Sequence, residues 1–171
     1  MTDITEDALG RSRLDVAVAA PVTLARAAQV LGPARASWMG EPVPADVPVP
    51  AGMERHLIDL QMRMSERSSL VTFHKAAYLD VGAAEVTGDT VRAEVSWRAA
   101  GMAPLFPVFS GHLTWAHGSL SVSGFYAPPG GGMGVIADRL LLNVAARGTA
   151  RWLLERIVAA MEAPSSDPAS A

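Results

Sequence analysis

The sequence predicts an α+β fold. It reads as an antiparallel sheet of about six or seven strands, one or two short helices after the first strand, and one long C-terminal helix. Three observations carry this. Between residues 56 and 126 apolar residues recur at period two, in runs separated by short turns. From 135 to 161 they recur at helical spacing, over a length of roughly 40 Å at ~1.5 Å per residue. Between the two patterns stands "FYAPPGGGMG" (125–134), where two prolines meet three glycines, a joint that ends one element and re-aims the chain.

The elements follow in order. "RLDVAVAA" (13–20) alternates Leu14, Val16 and Val18 with Asp15, Ala17 and Ala19, as a half-buried strand does. Pro21 is placed to open a helix at its first position; Leu24, Ala27, Ala28 and Leu31 supply the apolar face, and Gly32-Pro33 end it. "PARASW" adds a short helical turn. "EPVPADVPVPAG" (41–52) carries four prolines, so it is expected as a surface loop or edge segment. "HLIDLQMRM" (56–64) sets Ile58, Leu60, Met62 and Met64 against Leu57, Asp59, Gln61 and Arg63. "SLVTFHKAAYLDV" (69–81) is a strand without clear parity, and 82–87 extends it. Gly88-Asp89 and His117-Gly118 are expected as tight turns joining the strands 90–99, 109–116 and 119–126. In the last helix the expected inward stripe is Leu140, Leu141, Val144, Ala145, Gly148, Trp152 and Leu153, with Arg139, Asn143, Arg147, Arg151 and Glu155 outward. The domain expected is 13–162, with tails at 1–12 and 163–171.

Composition narrows the function classes. Half of the 171 residues are hydrophobic, enough for a core, yet no apolar run reaches the ~18–20 residues of a membrane span. The acidic, polar start "MTDITEDALGRSR" is unlike a signal peptide, so the expected location is cytoplasmic. Without cysteine, no disulfide, zinc-thiolate site or thiol nucleophile can form. A net charge of −3 argues against nucleic acid as a partner. Eight methionines can replace leucine in a core or line a pliable apolar cavity. The basic residues are arginines apart from the single Lys75.

The order strand, helix, proline-rich crossing, antiparallel strands and long helix, with "GFYAPPGGGMG" leading into the helix, resembles the START-like helix-grip superfamily of Bet v 1-type proteins, polyketide cyclases and lipid-transfer domains. "FPVFSGHLTW…GFYAPP" looks like uncharacterised bacterial members of that superfamily. The resemblance implies a curved sheet wrapped around the last helix, with a ligand cavity between them. Its superfamily has no universal catalytic signature, and fold does not fix function.

The candidate cavity-lining residues are Met62, Met64, His74, Tyr78, Val95, Trp97, Trp115, Tyr126, Val144, Gly148 and Trp152. His74 alternates with Leu70, Thr72, Ala76 and Tyr78; if that face turns inward, His74 and Tyr78 bring two polar groups into an apolar pocket. The opposite face, Phe73, Ala77 and Leu79, is an equally good inward face apart from Lys75. His56 shares the parity of Ile58, while His112, Asp59 and Glu94 are expected outward and His117 in a turn. No histidine has metal-motif spacing, no carboxylate pair shares an inward face, and the glycine loop lacks the Lys-Ser/Thr of a phosphate-binding loop. No cofactor and no metal are therefore expected. The preferred reading is a non-catalytic protein that binds a hydrophobic small molecule such as a lipid or polyketide. The alternatives are a cyclase- or aromatase-type enzyme using His74 and Tyr78, and an interaction module with a closed core that presents "PVPADVPVP" as an extended peptide.

Overall fold

The structure is a computed structural model, and residues 11–44, 47–63, 72–101, 108–127 and 138–164 are described. Seven antiparallel strands form one sheet: β1 (Ser12–Ala19), β2 (Glu41–Pro42), β3 (Met53–Arg63), β4 (Thr72–Thr87), β5 (Thr90–Ala99), β6 (Val108–Ala116) and β7 (Ser119–Ala127). Their spatial order is β1-β7-β6-β5-β4-β3-β2. Helix α1 spans Leu24–Leu31, a 3-10 turn spans Arg35–Ser37, and α2 spans Asp138–Glu162. This is the helix-grip α+β architecture. Met64, residues 69–71, the joint after Ala127, the first residues of the expected last helix and most of both tails lie outside the described residues.

The hairpins form where the turn chemistry allows them. His117 (φ 49°) and Gly118 (φ 73°) are both left-handed, which a type I′ turn requires, and Gly88 (φ 56°) turns the chain between β4 and β5. β4 runs unbroken from Thr72 to Thr87, across the boundary between the two segments expected from sequence. Its pairing with β5 slips by one residue between Val81 and Ala84, a bulge that keeps both on the face of Val95 and Ala93. The proline-rich segment contributes the two-residue edge strand β2, as proline tolerates an edge.

Helix α1 begins later than Pro21 suggests. Thr23 is its N-cap, and its hydroxyl accepts the Arg26 amide at 3.2 Å. Pro21 lies in the extended lead-in before it. The Arg26 guanidinium donates to the carbonyls of Ala160, Met161 and Ala163 at 2.6–2.9 Å, which fastens α1 to the negative end of the α2 dipole. Arg156 donates to the Trp38 carbonyl at 2.7 Å, tying α2 to the segment before β2.

Among the described residues, α2 comes nearest the sheet at its two margins: β3 on one side, β1 and β7 on the other. The central strands stand further from it. That separation is what an arched sheet around a helix produces, and large side chains of the central strands lie on the same side of the sheet. Trp97 and Phe109 stack with ring centroids 4.0 Å apart and planes 17° apart. The Phe109 ring lies over Gly111 and Gly124, which face each other across β6 and β7; a Cβ on either would stand 2.7–2.8 Å from the ring edge. Those glycines let the ring lie against the strands.

Helix α2 is turned relative to the expected stripe. Ala146, Thr149, Ala150, Leu153, Ile157 and Met161 are the line buried against the sheet, joined by Ala145, Trp152 and Leu154. Val144 and Gly148 fall at the edge of that line, half-buried. In so alanine-rich a helix, small residues satisfy either side, so the bulky residues after 152 decide which side is buried.

Candidate functional site

The concave face of the sheet is fixed by register. One row across it runs Leu79, Trp97, Phe109 and Tyr126, each paired with the next through β4, β5, β6 and β7. The next row toward α1 contains Val81, Val95, Gly111, Gly124 and Leu14. In the other direction come Ile58 with Ala77 and Ala99, then Leu60 with Lys75. Of the expected candidates, Val95, Trp97, Trp115 and Tyr126 are buried on this face, and Trp152 is buried on α2. Val144 and Gly148 lie beside the buried line of α2, and Met62 lies in β3 two residues beyond Leu60.

β4 settles its ambiguous parity with Ala77, Leu79 and Val81 inward. His74 and Tyr78 therefore occupy the convex face, and the expectation that they line the interior is corrected. His74 is more than half exposed, and its Nδ1 lies 2.7 Å from the Asp59 carboxylate. Tyr78 lies under two guanidiniums, with Arg55 at 5.1 Å and Arg98 at 5.7 Å from its ring centre. Arg55 and Asp80 form a buried bidentate pair on the same convex face, at 2.5 and 2.7 Å. Arg55 also donates to the carbonyl of Pro48, so the proline-rich segment roofs the pair. Hydrogen bonding to the Asp80 carboxylate, despite opposing desolvation, holds the Arg55 guanidinium above its ordinary pKa. The pattern was hard to read from sequence because an inward lysine and an outward Tyr-Arg-Asp cluster invert the usual polarity of the two faces.

Among the described residues the interior is mostly apolar, and two of its polar side-chain atoms stand out. Trp97 Nε1 and Thr149 Oγ1 are fully buried, one on β5 and one on α2, and neither has a hydrogen-bond partner. The other core indoles show what a satisfied one looks like: Trp38 donates to the Val30 carbonyl at 2.9 Å and Trp115 to the Ala20 carbonyl at 3.1 Å. Buried polar groups are almost always paired, and an unpaired one costs about 1–3 kcal/mol. Sequence reasoning named Trp97 but missed Thr149, whose only signal is a hydroxyl within an alanine-rich helix on the side fixed by Leu153 and Ile157.

Lys75 is a further polar residue on the concave side. It is half-buried, is paired with Leu60 and follows the parity of Ala77 and Leu79. Among the described residues it has no carboxylate within ion-pair distance.

Two crevices lie elsewhere. One of about 480 Å³ beside the end of α1 holds the Arg35–Glu54 ion pair and His56, whose Nδ1 is 2.8 Å from the Gly40 carbonyl. The other, of about 490 Å³ along the β4 bulge, mixes Glu85, Arg92, Glu94 and His112. Among the described residues, no three His, Asp or Glu side chains are grouped to hold a metal ion, and no helix is long and apolar enough to cross a membrane.

No protein-family model matches the chain, and no curated protein matches it. Among solved structures, it is similar to the crystal structure of DynU16, a protein of the dynemicin biosynthetic locus, at 15% sequence identity and a TM-score of 0.39. The match covers 84% of this chain, which spans about half of the other, 46% of its length.

Proposed function

We propose that the chain binds a hydrophobic small molecule between the arched sheet and α2, as a carrier or sensor of that molecule. The observation that carries this reading is the pair of orphaned polar atoms, Trp97 Nε1 and Thr149 Oγ1, among the buried side chains described. A ligand oxygen in that space would accept from the indole, and the hydroxyl can donate or accept. Apolar burial, at about 25 cal/mol per Å², would drive binding, and the two polar atoms would set orientation. A catalytic reading loses its two residues, because His74 and Tyr78 lie on the convex face.

Native mass spectrometry of the purified protein, followed by denaturing extraction, tests the proposal. A bound mass that leaves on denaturation supports it, and its composition gives the ligand class. A clean apoprotein that also fails to bind the neutral apolar dye N-phenyl-1-naphthylamine overturns it in favour of a closed-core interaction module.

A further inference from the structure

Resting on that binding reading, we infer that the ligand is an amphipathic acid whose anionic head is held by Lys75 at the rim of the concave face, while a carbonyl or hydroxyl further in meets Trp97 and Thr149. Lys75 is the only lysine in the chain. It stands where the alternation calls for an apolar residue, in line with Ala77 and Leu79 and opposite Leu60. A lysine at such a position normally pairs with a carboxylate or carries its head to water. The two acidic residues nearest along the pairing, Asp59 and Asp80, are on the convex face, one beside His74 and the other bound to Arg55. Among the described residues, each acidic partner close by in the sheet is thus committed elsewhere, which leaves the ammonium available to an external anion.

The spacing sets the shape of the ligand. Lys75 precedes Leu79, the β4 partner of Trp97, by four residues. At ~3.3 Å per residue the two rows are about 13 Å apart along the strand. The inferred ligand therefore has a charged end, an apolar stretch of medium-chain length along Ala77 and Leu79, and an oxygen at the depth of the indole. A carboxylate and a phosphate would both satisfy Lys75 as a point charge; the apolar surroundings of a single lysine favour the singly charged carboxylate.

The test is displacement of N-phenyl-1-naphthylamine at pH 8 by dodecanoate and by dodecan-1-ol, which share a chain and differ in the head. The wild-type protein should bind dodecanoate about tenfold more tightly than the alcohol, the size of one charge-assisted hydrogen bond. K75M, which keeps the apolar stem, should abolish that preference while leaving the alcohol and the dye unchanged; K75R should retain most of it. Dodecyl phosphate binding tenfold tighter than dodecanoate would overturn the choice of carboxylate. Dye binding with equal displacement by acid and alcohol, or with a preference that survives K75M, overturns the role of Lys75 and leaves the binding reading standing. Failure of the wild type to bind the dye or either amphiphile, with no extractable mass, overturns both.

Discussion

The two faces of the sheet each bury polar groups, and they treat them in opposite ways. On the convex face Arg55 and Asp80 close on each other through two hydrogen bonds, and the Pro48 carbonyl takes a further guanidinium N–H. On the other side Trp97 of the concave face and Thr149 of α2 are as deeply buried, and their indole N–H and hydroxyl have no partner. Burial penalises polar groups equally on either side. A satisfied pair needs nothing more and is explained by the fold alone. Two unsatisfied atoms, one on the sheet and one on α2, are not explained by the fold alone, and the proposed ligand would satisfy them.

The comparison can be broken from either side, and the largest effect is expected on the convex face. Asp80→Ala leaves the Arg55 charge buried and unpaired, and should cost about 3–5 kcal/mol in chemical denaturation, with dye affinity of the folded fraction unchanged. A loss below about 1 kcal/mol would mean that the pair is open to water. Next is Gly124→Ala. Its Cβ would stand 2.3 Å from the Ser110 carbonyl oxygen and 2.6 Å from the Gly111 Cα. Backbone atoms cannot give way cheaply, so about 1–3 kcal/mol of destabilisation is expected, with loss of the near-ultraviolet circular dichroism of the Trp97–Phe109 stack.

Thr149→Val should have the opposite sign. Valine keeps the shape and removes the unpaired hydroxyl, so the ligand-free protein should gain about 1 kcal/mol, while affinity for an oxygen-bearing ligand falls. A less stable variant would show that the hydroxyl is already satisfied. The smallest effect belongs to His74→Ala. The His74–Asp59 pair is exposed on both sides, and its loss should change stability by less than about 1 kcal/mol and binding not at all. A large fall in binding would return His74 to the site.

Much of the fold was legible because most strands bury one face only. The alternations in β3 and β5 place Ile58 and Val95 inward without any structure, and both are buried. β4 resisted because its convex face is partly roofed and its concave face carries a lysine, so parity and polarity disagree. α2 resisted because alanine fits either side of a helix; the stripe centred on Val144 and Gly148 was displaced toward Ala146 and Ala150. At the site, the aromatic members Trp97, Trp115 and Tyr126 were recognisable by alternation. The orphaned state of Trp97 and Thr149 was not, since Trp38 and Trp115 have the same indole and find backbone carbonyls. Hydrogen-bond satisfaction belongs to the packed chain, not to residue type.

The indole N–H resonances of the four tryptophans provide the most direct test of the central claim. They would be followed in a ¹⁵N-correlated NMR spectrum during titration with 12-hydroxydodecanoate, whose terminal hydroxyl reaches the depth of the indole when its carboxylate is on Lys75, and assigned with Trp97→Phe. Trp38 and Trp115 already donate to backbone carbonyls and should stay nearly still, whereas the Trp97 signal should move downfield as it gains an acceptor. Saturable 12-hydroxydodecanoate binding with an unmoved Trp97 resonance would contradict the placement of the ligand between sheet and helix.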